Sequence, residues 1–369
     1  MDKIRTCRIL GPMLNGVFLV LASSLLCLSS SCSSKSREIK EIGTKASGNT
    51  DMVPWLADDL SSDTNTLWCA SFRLAWEELR KRNDGQTLLG AEPGIQRVKA
   101  NEKRPRWEAL SGVRGIQSCG VTRKQWLQRP EAHESEISQH PFDKQLKNAV
   151  ATSIPESVVC YASIRSSVKF AQGFKRFDDQ LTFSGTPVIS FGIVKDKGRI
   201  GADCPDVACY GEDDGDGLSV VIRNPQSESM VVLSKVEPQS TLRATLDQAM
   251  SHLETESPQS LKWRDRLQIP VVSVGVFKRY KRIEGEEIKA GKMEGWPITF
   301  AGQMVDFRLD ESGAHLDSKA GLVAESDRPP SDVAFDKPFL LALVEAKTST
   351  PYFVMWVATP DVLQPVKSW

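Results

Sequence analysis

The chain has few of the side chains on which nucleophilic and metal-dependent catalysis depend. It contains four histidines in 369 residues, at positions 133, 140, 252 and 315. None of them stands in a recognisable zinc or nucleophile motif, so a Ser–His, Cys–His or zinc site has no local support. The sequence therefore predicts neither an enzyme nor a protein with a metal or other cofactor.

The chain also has no excess of charge of either sign. Lysine plus arginine and aspartate plus glutamate both number 47, which gives a formal net charge of zero. Proteins that bind nucleic acid draw much of their affinity from neutralising phosphates and releasing counterions, which requires an excess of basic side chains. A nucleic-acid partner is therefore disfavoured.

One apolar run stands out, near the start of the chain, and it is too short to cross a membrane as a helix. It spans residues 13–28, follows the basic residues Lys3, Arg5 and Arg8, and precedes three serines at 29–31. A basic segment, a short apolar segment and then small residues are the layout of a secretory signal. We therefore expect residues 1–31 to be a signal peptide, and the protein to be in the cell envelope or extracellular.

The junction before Cys32 resembles the cleavage site of bacterial lipoproteins. In that class a Leu usually stands three residues before the cysteine; here Ser29 holds that place and Leu28 lies one residue earlier. The resemblance implies that Cys32 becomes the acylated amino terminus and anchors the protein to a membrane. Ordinary cleavage to a free secreted protein and an uncleaved membrane anchor are the alternatives.

The segment after Cys32 lacks a large apolar cluster. Residues 33–51 are rich in Ser, Lys, Glu, Gly and Thr, a composition that buries too little surface to fold. The sequence thus predicts a flexible tether at residues 32–54 and one globular domain at residues 55–369.

Too few cysteines remain in that domain for all of them to pair. Of the eight in the chain, Cys7 and Cys27 would leave with the signal peptide and Cys32 would be acylated, which leaves five. Cys204 and Cys209 are closely spaced and are the predicted disulfide in an oxidising compartment. Each remaining cysteine equally fits a buried free thiol.

Secondary-structure patterns place helices early in the domain and strands late. Apolar residues at helical spacing predict helices at 65–79 and 241–254, and residues 90–155 are predicted to be helices with long loops. Apolar and β-branched runs predict strands at 157–164, 187–194, 218–223, 230–236, 271–277 and 298–309, with two more near the end. Many strands with interspersed helices indicate an α+β domain.

The C-terminal part of the chain resembles the closing segment of serpins. Residues 333–339 (Val-Ala-Phe-Asp-Lys-Pro-Phe) are similar to the motif that leads into that family's last two strands, and Pro360 suits the tail after them. Residues 305–313 (Val-Asp-Phe-Arg-Leu-Asp-Glu-Ser-Gly) are similar to the strand that precedes the reactive loop. The resemblance implies a serpin-like α+β fold with several mixed or antiparallel sheets, N-terminal helices and an exposed segment like a reactive loop.

The resemblance also implies a hinge for that loop, at Gly313, Ala314, Leu316 and Ser318. In serpins a protease cuts the loop, which then inserts as a new strand of a sheet. Strand alternation turns Ala314, Leu316 and Ser318 to one side. Inhibitory serpins keep small residues almost throughout the hinge, and Leu316 departs from that pattern at a cost of about 1–3 kcal/mol in overpacking.

The position of the scissile bond is also implied by the family's spacing, near Asp327 and Arg328. Arg328 is followed by Pro329, and trypsin-like proteases cleave an Arg–Pro bond poorly. A protease that cuts after Asp327 remains an alternative. The segment also fits an exposed surface connection without a protease partner.

Two functions follow from these features. The first is an exported, lipid-anchored, serpin-like protein that acts as a non-inhibitory interaction or structural module, with the membrane and a protein as its partners. The alternative is an inhibitor of serine or cysteine proteases that acts through the loop at residues 313–330.

Overall fold

The computed structural model describes most of the predicted domain. Its described residues are 49–86, 88–89, 110, 116–129, 141–164, 166, 168–170, 174–194, 206–211, 217–223, 227–260, 266–314 and 332–366. Six of the predicted site residues lie outside this description: Cys32, Cys204, Leu316, Ser318, Asp327 and Arg328. No helix in the described ranges is both long and apolar enough to cross a membrane.

Four helices lie in the described part of the chain, and none is longer than four turns. They are α1 (Ala70–Arg82), α2 (Arg123–Trp126), α3 (Pro141–Thr152) and α4 (Leu242–Thr255). The predicted helix at 241–254 is confirmed. Thr241 caps it, because its hydroxyl accepts a hydrogen bond of 3.0 Å from the amide of Ala244.

Most of the remaining described residues form strands. In chain order these are β1 (Thr50–Met52), β2 (Asn65–Cys69), β3 (Ile116–Thr122), β4 (Val158–Ile164), β5 (Val168–Lys169), β6 (Lys175–Arg176), β7 (Leu181–Phe183), β8 (Thr186–Val188), β9 (Ser190–Val194), β10 (Val207–Tyr210), β11 (Ser219–Arg223), β12 (Ser229–Ser234), β13 (Gln259–Ser260), β14 (Arg266–Pro270), β15 (Val272–Arg279), β16 (Gly302–Asp310), β17 (Gly313–Ala314), β18 (Asp332–Ala334), β19 (Phe339–Glu345) and β20 (Pro351–Val357). All the predicted strands are found, with shifted ends.

The largest sheet has eight strands in the order β1-β2-β20-β19-β12-β11-β10-β13. Every residue of β12 and β19 is buried, as is every residue of β20 except Pro351. Strands covered on both faces read as continuous apolar runs, which is why these segments could be recognised from the sequence. Together with residues of the smaller sheets they form the main hydrophobic core.

Two four-stranded sheets accompany it. One has the order β18-β14-β9-β6, which we call the loop-return sheet, and the other has the order β15-β16-β17-β5. A separate pair, β3-β4, and the hairpin β7-β8 complete the strands. The mixed and antiparallel sheets with few helices confirm the predicted α+β class.

The prediction of a helix from residue 65 is wrong for its first five residues. Residues 65–69 form β2, which pairs antiparallel with β20 and parallel with β1. All five are buried, and a short apolar run that is covered on all sides suits a strand as well as a helix. The helix itself begins at Ala70.

The folded part of the chain begins earlier than the predicted boundary at residue 55. Residues 50–52 form β1 at an edge of the eight-stranded sheet, where Met52 is fully buried. Asp51 forms an ion pair with Lys278, and the amide of Asn49 donates to a carboxylate oxygen of Asp361. Backbone hydrogen bonds and polar contacts hold much of this segment. Its low content of apolar residues therefore predicted a flexible tether and gave no sign of a strand.

A turn-rich segment, residues 281–301, replaces the start of the strand predicted at 298–309. It packs its apolar side chains, among them Ile283, Ile288 and Met293, against Trp76 of α1 and its neighbours.

Asn83, at the end of α1, attaches to this segment through its fully buried side chain. Its Nδ2 donates to the carbonyl of Ala290 (2.6 Å), and its Oδ1 accepts from the amide of Met293 (2.9 Å).

We expect Asn83→Ala to lower the free energy of unfolding by about 2–4 kcal/mol, because it leaves the buried amide of Met293 and the half-buried carbonyl of Ala290 without their partner. Urea unfolding of residues 49–369 measures this loss. Asn148→Ala is the matched control, since Asn148 is exposed on α3 and its replacement should change stability little. Equal effects of the two substitutions would contradict the role given to Asn83.

Candidate functional site

The two described hinge residues, Gly313 and Ala314, lie within a sheet. β16 ends at Asp310, and the chain then turns back so that Leu309 pairs with Ala314 and Asp310 pairs with Gly313. On its other side β17 pairs antiparallel with Val168 and Lys169 of β5. We call residues 310–314 the hinge turn; its last two residues occupy a strand position between β16 and β5.

Gly313 is required at this position by the close approach of β5. It has a φ of +130°, and a Cβ atom there would overlap the carbonyl oxygen of Val168 and lie 2.9 Å from the Cα of Lys169. A residue with a side chain would have to displace the β5 backbone. The glycine is therefore what allows the hinge turn to enter the sheet.

The carboxylate of Asp310 organises the hinge turn. Its Oδ1 accepts hydrogen bonds from the amide and the hydroxyl of Ser312 (2.9 and 2.5 Å), and its Oδ2 accepts one from Nε of Arg308 (2.6 Å). Partial burial is the largest single influence and raises the pKa of Asp310, but the bonds from Ser312 and Arg308 together lower that pKa below its usual value. The ionised form therefore stabilises the turn.

Ala314 fixes which loop side chains would face inward if β17 were lengthened. Its side chain is 2% exposed and belongs to the main core. Because side chains alternate along a strand, continuation past Ala314 would turn the even-numbered residues inward. Leu316 would be the first of them.

β15 and β16 belong to the same sheet as β17 and β5, whereas β3 and β4 form a separate pair. Within the described ranges no strand pairing joins β16 to β4. A continuation of β17 would run beside β16.

Helix α3 contacts both β4 and β15. Leu146 and Val150 pack with Val159 of β4. The ring of Phe142 lies 6.0 Å from that of Phe277 on β15, and Nη1 of Arg279 donates to Oε1 of Gln145. Helix α3 therefore links the β3-β4 pair to the sheet that contains β17.

Helix α1 contacts both the β3-β4 pair and β16 as well. Arg82 donates to the carbonyl of Gly120 on β3, while the amide nitrogen of Gln303 on β16 donates to the carbonyl of Cys69 (2.9 Å) and the hydroxyl of Ser71 (2.8 Å). Gln303 also accepts a hydrogen bond from the phenol of Tyr280 (2.7 Å). These buried polar contacts fix the spacing between β16 and the start of α1.

After residues 315–331 the described chain resumes at β18, which pairs parallel with β14. The residues that follow are held by aromatic packing, since the rings of Phe335 and Phe339 lie 5.2 Å apart and are fully buried. The predicted motif at 333–339 therefore belongs to the core.

Two of the described thiols, those of Cys69 and Cys160, are poorly suited to act as nucleophiles. Cys69 and Cys160 are free. Burial, and secondarily the charge of Glu78, raise the pKa of Cys160 to about 12, and burial raises the pKa of Cys69. Cys209 is buried in β10; because Cys204 lies outside the described residues, the disulfide between them stays a prediction.

One histidine is described. Nδ1 of His252 lies 3.2 Å from the carbonyl oxygen of Gly217, which is a structural contact near the end of α4. Across the described ranges no group of three or more His, Cys, Asp and Glu side chains is arranged to hold a metal ion.

We expect Asp310→Asn to destabilise the domain by about 0.5–1.5 kcal/mol at pH 7, because charge-assisted hydrogen bonds are weakened. The folded-state pKa of Asp310 is lowered, so its contribution is complete above the unfolded-state value of about 3.9 and is lost as pH falls through the folded-state pKa. The difference in unfolding free energy between wild type and variant should shrink on acidification. A difference that stays constant from pH 7 to pH 3, or an equal effect of the surface control Asp247→Asn, would contradict this.

No protein-family model and no curated protein sequence matches the chain. It is similar to solved structures of serpins. Serpin48 from the insect Tenebrio molitor, described as a highly specific serpin, is 13% identical, with a TM-score of 0.45 over 80% of this chain and 92% of that one. Human thyroxine-binding globulin in complex with thyroxine is 10% identical, with a TM-score of 0.41 over 69% and 78%. The thermophilic serpin tengpin in its native state is 11% identical, with a TM-score of 0.36 over 56% and 57%.

These likenesses concern the fold alone, and at such TM-scores they carry no argument about activity. The described residues have the predicted α+β architecture, with several mixed and antiparallel sheets and few helices.

Proposed function

We propose that the protein is an exported, lipid-anchored module whose serpin-like domain binds a protein partner without inhibiting a protease and without catalysing a reaction. The observation that carries the proposal is the burial of Ala314. It sets the direction in which an inserting loop would have to place its side chains.

With Ala314 facing the core, Leu316 is the next residue that insertion would bury. The position is reached beside β16 and β5, and the backbone of β5 already approaches Gly313 closely. Forcing a large side chain into a well-packed interior costs about 1–3 kcal/mol. Slow or incomplete insertion favours a loop that is presented to a partner over one that traps a protease.

One observation favours the alternative, an inhibitor that acts through residues 313–330. The hinge turn already occupies a strand position between β16 and β5, so an inserting loop would have its first residues in place. Cleavage near Asp327 and Arg328 would then release the remainder of the loop. Arg328 is followed by Pro329, which disfavours trypsin-like proteases at that bond.

We expect proteases to cut the domain within residues 315–331 without forming a complex that survives SDS, and with little change in melting temperature after the cut. Gel electrophoresis, mass spectrometry and thermal unfolding of the mature domain measure these outcomes. An SDS-stable complex, or a sharp rise in melting temperature after cleavage, would establish the inhibitor instead.

Leu316→Ala tests the steric reason. If Leu316 opposes insertion, the cleaved Leu316→Ala domain should melt at a higher temperature than the cleaved wild type. His315→Ala is the matched control, because strand alternation turns residue 315 the other way. If neither variant gains stability on cleavage, Leu316 is not what limits insertion.

The lipid anchor is the second part of the proposal, and it is supported by the basic, apolar and small-residue layout ahead of Cys32. Sixteen residues (33–48) lie between Cys32 and Asn49, the first described residue. A chain of that length spans at most roughly 50–60 Å when fully extended, at about 3.3–3.6 Å per residue, which is the upper limit for the distance between Asn49 and a bilayer.

We expect the full chain, produced in bacteria with a fatty-acid label, to carry the label on an amino-terminal Cys32 that mass spectrometry identifies. Cys32→Ala should lose the label and keep residues 1–31, whereas Cys27→Ala, inside the predicted signal peptide, should still be labelled. An unlabelled mature protein with another amino terminus would show ordinary secretion instead.

A further inference from the structure

Two exposed apolar side chains lie close to the end of helix α3. Among the described residues, three large apolar side chains are markedly exposed: Ile154 at 65%, Leu127 at 47% and Trp296 at 38%. Leu127 follows α2 directly, and Ile154 comes two residues after α3. Isolated apolar side chains are common on protein surfaces, so these two are informative only if they are neighbours.

The turns that carry Leu127 and Ile154 are held together by Arg123, the first residue of α2. Its guanidinium donates from Nε to the carbonyl of Val150, near the end of α3 (2.8 Å). Its backbone amide donates to the carbonyl of Ser157 (2.8 Å), whose own amide donates to the carbonyl of Ile154 (3.0 Å). The amide of Leu127 donates to the carbonyl of Arg123 (3.1 Å). Leu127 and Ile154 therefore lie on adjoining turns.

Basic side chains accompany this pair. Five of them stand in the stretches 123–129 and 144–155, which contain no acidic residue: Arg123, Lys124, Arg129, Lys144 and Lys147. Asp143 and Glu156 flank the second stretch. Because the whole chain has a net charge of zero, these stretches hold a local excess of positive charge.

Helix α3 turns a basic face outward beside the pair. Leu146 and Val150 are buried, whereas Lys144, Lys147 and Ala151, at helical spacing on the other side, are exposed. Basic side chains next to exposed aliphatic ones are typical of helices that lie in the plane of an anionic membrane surface. We call the exposed side chains of this region the α3 surface: Lys124, Leu127, Arg129, Lys144, Lys147 and Ile154.

We propose that the α3 surface docks on an anionic lipid bilayer, with Leu127 and Ile154 entering the headgroup region and the basic side chains pairing with lipid phosphates. The proposal rests on the part of the proposed function that places the protein at a membrane. The composition of the surface favours a bilayer over a protein, because the centres of protein interfaces are enriched in aromatic residues and depleted in lysine. Here lysines are exposed, and both exposed large apolar side chains are aliphatic.

The tether is long enough to allow this docking. The fold begins beside β15, because Asp51 pairs with Lys278. The first half of α3 contacts the next residue of β15, since Arg279 donates to Gln145. The 12 residues of α3 rise about 18 Å, whereas the extended tether spans at most roughly 50–60 Å. An anchor at Cys32 would therefore confine the α3 surface near the same bilayer, where weak docking suffices.

The test is flotation of the mature chain without its lipid, residues 33–369, with vesicles of phosphatidylcholine that contain about 30% phosphatidylglycerol. We expect the wild type to bind these vesicles, to bind pure phosphatidylcholine far less, and to be released by about 0.5 M salt. Lys124→Gln with Lys144→Gln should lower the partition coefficient by about 10- to 30-fold. Leu127→Ala with Ile154→Ala should lower it by about 5- to 20-fold.

Two control variants separate the α3 surface from general effects of charge and size. Lys337→Gln with Lys347→Gln removes the same charge from exposed positions on either side of β19 and should leave the partition coefficient unchanged. Leu127→Met with Ile154→Val keeps the surface apolar and should bind as the wild type does. All the replaced side chains are exposed, so each variant should keep the wild-type melting temperature.

Three results would overturn the proposal: equal binding to both kinds of vesicle, an equal loss in the Lys337 and Lys347 control, or full binding by Leu127→Ala with Ile154→Ala. Self-association of the wild type that this last variant abolishes, measured by sedimentation without vesicles, would also overturn it, because a second copy would then occupy the surface. The protein tested carries no lipid. Docking can therefore fail while the anchor at Cys32 stands, and the reverse also holds.

Discussion

The arrangement of the domain depends on the backbone of Gly313 and Ala314, which has a strand partner on each side. Buried amide and carbonyl groups must find hydrogen-bond partners, and these two residues meet that demand for β16 and β5, which they join into one sheet. In the described ranges no strand connects β16 with β4. Helices α1 and α3 therefore link the β3-β4 pair to this sheet through side chains.

Polar groups control this junction, whereas apolar burial holds the rest of the domain. Strands β12, β19 and β20 are covered on both faces and form the stable centre. The hinge turn relies on the carboxylate of Asp310 and on the partly exposed Glu311. Contacts of this kind contribute far less to the free energy of unfolding than burial of a core strand does. The hinge turn is therefore less stable than the core, and it lies next to the segment on which both proposed functions depend.

The sequence was informative where structure is local. Helix α4 could be predicted because Thr241 supplies a cap and its apolar residues recur at helical spacing, and the core strands could be predicted from their β-branched runs. β2 was taken for helix because a fully buried five-residue strand lacks alternation. The contacts of Asn83 with Ala290 and Met293, and of Arg176 with Glu311, join residues more than a hundred positions apart. No local sequence pattern indicates such pairs. The residues of the hinge could therefore be predicted, but the contacts that hold them could not.

The balance between a presented loop and an inserting one follows from two features that oppose each other. Entry of Gly313 into the sheet favours insertion, because the hinge residues already have their backbone partners. The inward direction fixed by Ala314 disfavours it, because Leu316 would come next. Ser318 and Ala320, which would follow on the same side, are small. The opposing cost therefore falls on the first step past the two paired residues, which favours a loop that stays outside the sheet.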